Sequence, residues 1–87
     1  MARDLEEVAD ILYVILNDNI KYFEVPYAYF SRTTLDLIAD RNNLTQKQIG
    51  FLKHRLKELN SVLCINESRA ILMTDKHYRK LAKRVDR

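Results

Sequence analysis

Apolar residues in the first part of the chain recur every three or four positions. Leu5, Val8, Ile11, Leu12, Ile15 and Leu16 keep this spacing, which predicts an amphipathic helix over residues 3–18. Glu6 and Glu7 stand in its first turn, where the helix dipole favours acids, and Asn17-Asp18-Asn19 supplies a stop. Tyr13 and Val14 widen the apolar face beyond the needs of a small core. Residues 20–30 then lose the period. They hold five of the eight aromatics together with Pro26, and predict an irregular or partly extended connector packed by its rings. Hydrophobic cover for a thin core is favoured there over ligand stacking.

Helical spacing returns after residue 30. Ser31, Thr33 and Thr34 offer N-caps for a helix through about Asn42, with Leu35, Leu37 and Ile38 on its apolar side. Asn42-Asn43 suits a left-handed turn, since Asn tolerates positive φ. Leu44 plugs that turn, Thr45 caps a helix running to about Leu59, and Asn60 is a second left-handed stop. The period then shortens to two. Val62-Leu63-Cys64-Ile65 and Arg69-Ala70-Ile71-Leu72-Met73 flank Asn66-Glu67-Ser68, which predicts a hairpin with a three-residue loop over about 62–73. Thr74 or Asp75 caps a last helix over about 75–86, whose thin apolar stripe is Tyr78, Leu81, Ala82 and Val85. The expected class is α+β, in one domain over 1–87: three N-terminal helices, a two-stranded hairpin and a C-terminal helix.

Composition removes several functional classes. The chain is 47% hydrophobic and 31% charged, with one Gly and one Pro, as in an ordinary globular domain with a small core. Cys64 alone cannot make an intrachain disulfide; it fits a reducing cytoplasm and reads as a small buried hydrophobe. The apolar run Ile11–Leu16 is too short to span a membrane, and the acids before it are unlike a signal peptide. One glycine cannot build a phosphate-cradling loop, and Cys64, His54 and His77 share no metal-site spacing. Asp36 and Asp40 lie i, i+4, most simply as a solvated edge or in salt bridges with Arg32 or Arg41. No nucleophile, base and oxyanion site assemble, so the chain is read as no enzyme, with no cofactor and no metal.

Charge adds direction. Residues 1–30 carry two basic and six acidic side chains, a balance of −4; residues 31–87 carry thirteen and six, a balance of +7. A polyanion would meet the later part of the chain. Placing residues 45–59 on a wheel of about 100° per residue sends Ile49, Leu52, Leu56 and Leu59 to one sector. Gln46, Lys47, Gly50, Phe51, His54 and Lys57 take the opposite sector, flanked by Lys53 and Arg55. Gln can read adenine bidentately, Lys can reach guanine edges or phosphates, and Phe can touch a thymine methyl. The same wheel also fits a plain solvated face with an incidental glycine.

The element order carries a resemblance. Leu37-Ile38-Ala39, Leu44-Thr45, Ile49, Leu56-Lys57-Glu58-Leu59 and Val62, followed by the hairpin, look like the winged helix-turn-helix superfamily. The likeness is to its small bacterial and archaeal regulators of the ArsR, MarR and PadR type. Leu72-Met73-Thr74-Asp75 resembles the phrase after the wing in those families but lacks their glycine, and Asn60 stands where a glycine is usual. The absence of a metal-ligand spacing sets the chain apart from metal-sensing members. The resemblance implies that residues 45–57 enter the major groove of duplex DNA N-terminal half first, with Thr45, Gln46, Lys47 and Gln48 best placed for contact. Gly50, Phe51, Lys53, His54 and Lys57 complete that face, and Arg69 is the cation of a short wing over residues 66–69 that contacts backbone. It further implies a sequence-specific regulator, usually a repressor, acting as a homodimer. The dimer contacts expected are Leu5, Val8, Leu12 and Ile15 from the first helix, and Tyr78, Leu81 and Val85 from the last. The chain leaves no room for a large ligand cavity, so control would come from expression level or a protein partner. Two alternatives stay open: a plasmid or viral partition protein that spreads from a centromere-like site, and a winged-helix module that docks another protein. The basic last helix could also lie on a membrane, but its stripe is narrow and lacks Trp and Phe; backbone contact or a dimer flank ranks higher.

Overall fold

In the computed structural model, which describes residues 3–41 and 43–85 with side chains through Lys83, Asp4 starts the first helix by accepting a bond from the Glu6 N–H. Helix α1 runs from Leu5 to Phe23, well past the stop expected at residues 17–19. Each Asn or Asp there costs only a few tenths of a kcal/mol of propensity (about 0.7 at most), and the Asn19 amide donates to the Tyr27 carbonyl at 3.0 Å, which ties this part of the helix to the segment that follows. The end comes where Pro26 disfavours helical geometry for Val25, and Glu24 closes it in the left-handed region with φ 56°.

The aromatic segment is more regular than expected. Tyr27–Ser31 forms strand β1, with Ala28 and Phe30 buried and Tyr29 exposed, the alternation of a half-buried strand. Ser31 then caps helix α2, Arg32–Ala39, through the Thr34 N–H. This helix stops before Asn42: Asp40 takes the left-handed cap with φ 54°. Asn43 follows with φ 81°, while Asn42 lies outside the described residues. Helix α3 spans Gln46–Glu58 and ends through Asn60, whose φ is 57°. Strands β2, Ser61–Ile65, and β3, Arg69–Thr74, form the hairpin around the three-residue loop, and helix α4 covers Asp75–Val85. The Thr74 hydroxyl accepts the His77 N–H and so caps α4.

The class is therefore α+β, with four helices and one antiparallel sheet among the described residues. The expectation of three successive helices and a two-stranded hairpin is corrected on one point. A strand separates the first two helices and joins the hairpin, making a three-stranded sheet of order β1-β3-β2. Tyr29 pairs with Ile71, and Ile71 with Cys64 across the hairpin. The inner face of the sheet buries Ala28, Phe30, Leu63, Ala70 and Leu72 against Val8, Leu12 and Leu16 of α1. Leu35 and Ala39 of α2, Leu44 and the stripe Ile49, Leu52, Leu56 of α3 close the same core. Helix α4 leans on β2 and β3, with the His77 ring 5.9 Å from that of Tyr27. Among the described residues no helix is long and apolar enough to cross a membrane.

Candidate functional site

Helix α3 owes its position to its two ends and one stripe. At the start, the Thr45 hydroxyl accepts the Gln48 N–H at 3.2 Å while the Gln48 carboxamide oxygen accepts the Thr45 N–H at 2.9 Å. This reciprocal capping box satisfies two backbone donors that a helix otherwise leaves open. The stripe Ile49, Leu52 and Leu56 is buried, and Leu59 is half-buried behind it. Arg55 fastens the helix sideways. Its guanidinium reaches Glu6 at 3.5 Å and Asp10 at 3.7 Å on α1, and Glu58 at 3.9 Å on its own helix. The flank assigned to Arg55 on the wheel thus turns toward the acidic side of α1.

What remains is one continuous outward face. Gln46, Lys47, Gly50, Lys53, His54 and Lys57 are exposed, with Phe51 46% exposed among them. His54 stands 3.4 Å from Glu58, an ion pair when the imidazole is protonated. Thr45 and Gln48, expected to contact a ligand, both act as acceptors in the cap; Thr45 is exposed and Gln48 half-buried. Gly50 is singular: a Cβ built there meets nothing within 4 Å. No neighbour in the fold requires a glycine at that point.

The hairpin loop is organised by Asn66. The Asn66 carboxamide oxygen accepts the N–H groups of Ser68 at 2.9 Å and Arg69 at 2.8 Å, and the Asn66 N–H donates to the Arg69 carbonyl. Arg69 is exposed beside this turn. Arg32, the first residue of α2, reaches over the loop from the other side, a contact that spacing along the chain does not announce.

The candidate contacts for a second copy divide. Val8 and Leu12 are fully buried in the chain's own core and have no surface to offer, which corrects their assignment to an interface. Leu5 and Ile15 are half-buried, Tyr78 and Leu81 are exposed, and the side chain of Val85 lies outside the described set. The exposed apolar positions of α1 are Val14, beside the half-buried Ile11, and Ile20, Tyr22 and Phe23 toward its end. An open groove of about 680 Å³ runs between α1, the turn after α3 and α4, with Tyr13, Leu16 and Leu59 along its floor and Lys76, Lys80 and Lys83 on one wall. Arg79 of α4 is taken by Asp75 at 3.0 Å.

Two further expectations change, and a third, for Asp36 and Asp40, narrows to the solvated edge. Leu37, assigned to the apolar side of α2, is 74% exposed. Cys64, read as buried, is exposed on the outer face of the edge strand β2. Arg41 meets neither Asp36 nor Asp40 through its side chain; it donates to the Arg3 carbonyl at 2.9 Å, and Arg32 to that of Asn66. Among the described residues no group of three or more His, Cys, Asp or Glu side chains is placed to hold a metal ion. Compared with known protein families, curated proteins and solved structures, the chain matches none of them.

Proposed function

We propose that this chain is a winged helix-turn-helix protein that binds duplex DNA through α3 and the β2–β3 loop. The observation that carries the reading is Gly50. Mid-helix glycine costs about 1 kcal/mol relative to Ala, and here it has no internal packing to justify it. It sits at the centre of the outward face, between Gln46, Lys47, Lys53 and His54, where a flat spot admits a phosphate backbone or base edge. The order helix, strand, helix, helix, hairpin, helix, with strands arranged β1-β3-β2, supports the same reading. In it, α3 enters the major groove while Arg69 on the loop meets the flanking backbone. We assign the chain the role of a sequence-specific regulator, a repressor, that acts as a homodimer on a two-fold site.

The dimer faces in this reading are narrower than the sequence implied. Ile11 and Val14 of α1 share a helix face with Glu7, Asp10 and Asp18, whereas Tyr78 and Leu81 of α4 lie on the face opposite Lys76, Lys80 and Lys83. Val14 of the first stripe and Tyr78 and Leu81 of the second are exposed in one chain. Light scattering at micromolar concentration is expected to give twice the mass of the chain. Selection from sheared genomic fragments, followed by footprinting, is expected to return one short protected site with internal two-fold symmetry. A footprint that lengthens with protein concentration would move the assignment to a partition or DNA-organising protein. Absent or salt-insensitive duplex binding would remove the DNA reading. A protein-docking module is the second reading, favoured by the exposed Leu37 on α2 and Phe51 on α3.

A further inference from the structure

We infer that Arg32 is the positioning residue of the loop between β2 and β3, fixing where that loop stands relative to α3 before any ligand arrives. The inference rests on the DNA-binding reading for its consequence, but its geometry stands apart from it. Arg32 opens α2, and its two ends grip the loop at different points. Its backbone N–H donates to the Ser68 carbonyl at 3.1 Å. Its guanidinium Nη1 donates to the Asn66 carbonyl at 2.9 Å, across thirty-four positions of sequence. Arg32 is half-buried and the Nε of the same guanidinium has no hydrogen-bond partner among the described residues, so the contact of its head group with the loop is the Nη1 bond. Asn66 is the natural point to hold. Its side chain organises the whole turn by accepting from Ser68 and Arg69. Because Ser31 pairs with Arg69 in the sheet, the strand ladder ends at the place where Arg32 takes over.

The consequence concerns order rather than contact. A short loop tethered only at its strand ends must lose conformational freedom when it meets a duplex, and that loss weakens binding. Arg32 removes part of the loss in advance and fixes Arg69 at one distance from α3. Arg32 thereby acts on the flank of a DNA site through Asn66, not by touching phosphate itself.

The test compares Arg32→Ala, Asn66→Ala and the double variant in the full chain, with Arg32→Lys as the conservative variant. In the free protein, Arg32→Ala is expected to speed amide hydrogen exchange of Ser68 and Arg69 by about tenfold while the α3 amides stay unchanged. On the selected duplex, the variant is expected to lose protection at the flanks and keep it at the centre. Affinity should fall about fivefold to tenfold with the salt slope unaltered, and the Asn66→Ala loss should overlap it in the double variant rather than multiply. Arg32→Lys, which keeps the charge and one donor, is expected to restore the exchange rates in part. Unchanged exchange at Ser68 and Arg69 overturns the inference, and so does a salt slope reduced by about one unit, which makes Arg32 a direct phosphate contact. Failure of the unmodified protein to bind any duplex overturns the DNA reading and the flank effect, while the exchange comparison still decides whether Arg32 holds the loop.

Discussion

Gly50 is a glycine that the packing of the fold does not require. A methyl group at that position would meet nothing within 4 Å, so Ala is sterically free there and has the higher helix propensity. Gly50→Ala is expected to raise stability by about 0.5–1 kcal/mol in urea titration and to weaken duplex binding at the same time. Binding unaffected by the change would place the duplex away from this part of the helix. The four positive-φ residues are the complementary case, in which backbone geometry asks for glycine and the chain supplies something else. Glu24, Asp40, Asn43 and Asn60 have φ of 56°, 54°, 81° and 57°. An L-residue other than Asn or Asp gains nothing from its side chain in that region. Glu24→Gly is therefore expected to stabilise by about 0.5–1 kcal/mol, and Asn60→Gly by less, measured as shifts in the denaturation midpoint at constant slope.

The elements were legible in the chain where period and caps agreed. Thr45, Gln48, the stripe Ile49-Leu52-Leu56 and Asn60 all point to one helix, and α3 occupies that span within a residue at each end. Where signals conflicted, tertiary structure decided. Asn17-Asp18-Asn19 reads as a stop, yet Asn19 sits inside α1 and its amide donates to the Tyr27 carbonyl, which ties the helix to β1. That same contact belongs to a strand whose alternation, Ala28 and Phe30 inward against Tyr29 outward, was present but hidden among aromatics after a proline. Pro26 does not prevent the strand, because it precedes the first strand residue and β1 lies at a sheet edge. Faces are hardest to assign on short helices. In the eight-residue α2, Leu35 is buried and Leu37, two positions on, points away from it. Leu37→Ser is accordingly expected to change stability by no more than about 0.5 kcal/mol, whereas Leu52→Ala should cost about 2–5 kcal/mol. Thermal unfolding of the pair checks both, and a large loss from Leu37→Ser would mean that another surface covers it in solution.

At the scale of the molecule, the sequence disclosed the charge imbalance but not its division between the helices. The acids of α1 are partly spent within the fold, since Glu6 and Asp10 take Arg55. Among the described residues, this leaves Lys47, Lys53 and Lys57 on α3 without a carboxylate within ion-pair distance. Lys76, Lys80 and Lys83 form a second basic surface on the wall of the open groove beside α4. Two basic surfaces of different origin should answer salt and sequence differently. On α3, Gln46 and Lys47 lead the helix and would face base edges. Replacing both with Ala is expected to abolish the preference for the selected site over random duplex, each lost base contact costing about 1–3 kcal/mol. On α4, a phosphate contact by Lys83 carries no sequence information. Lys83→Ala should weaken selected and random duplexes alike and lower the slope of log affinity against log salt by about one unit, as one fewer counterion is released. Fluorescence anisotropy over about 50–200 mM salt, on both duplexes and with both variants, resolves the two effects. If Lys83→Ala instead leaves DNA affinity untouched at concentrations where the protein is a dimer and shifts the dimer dissociation constant, then the basic wall of α4 faces the acidic α1 of a second copy. The duplex is then held by α3 and the loop alone.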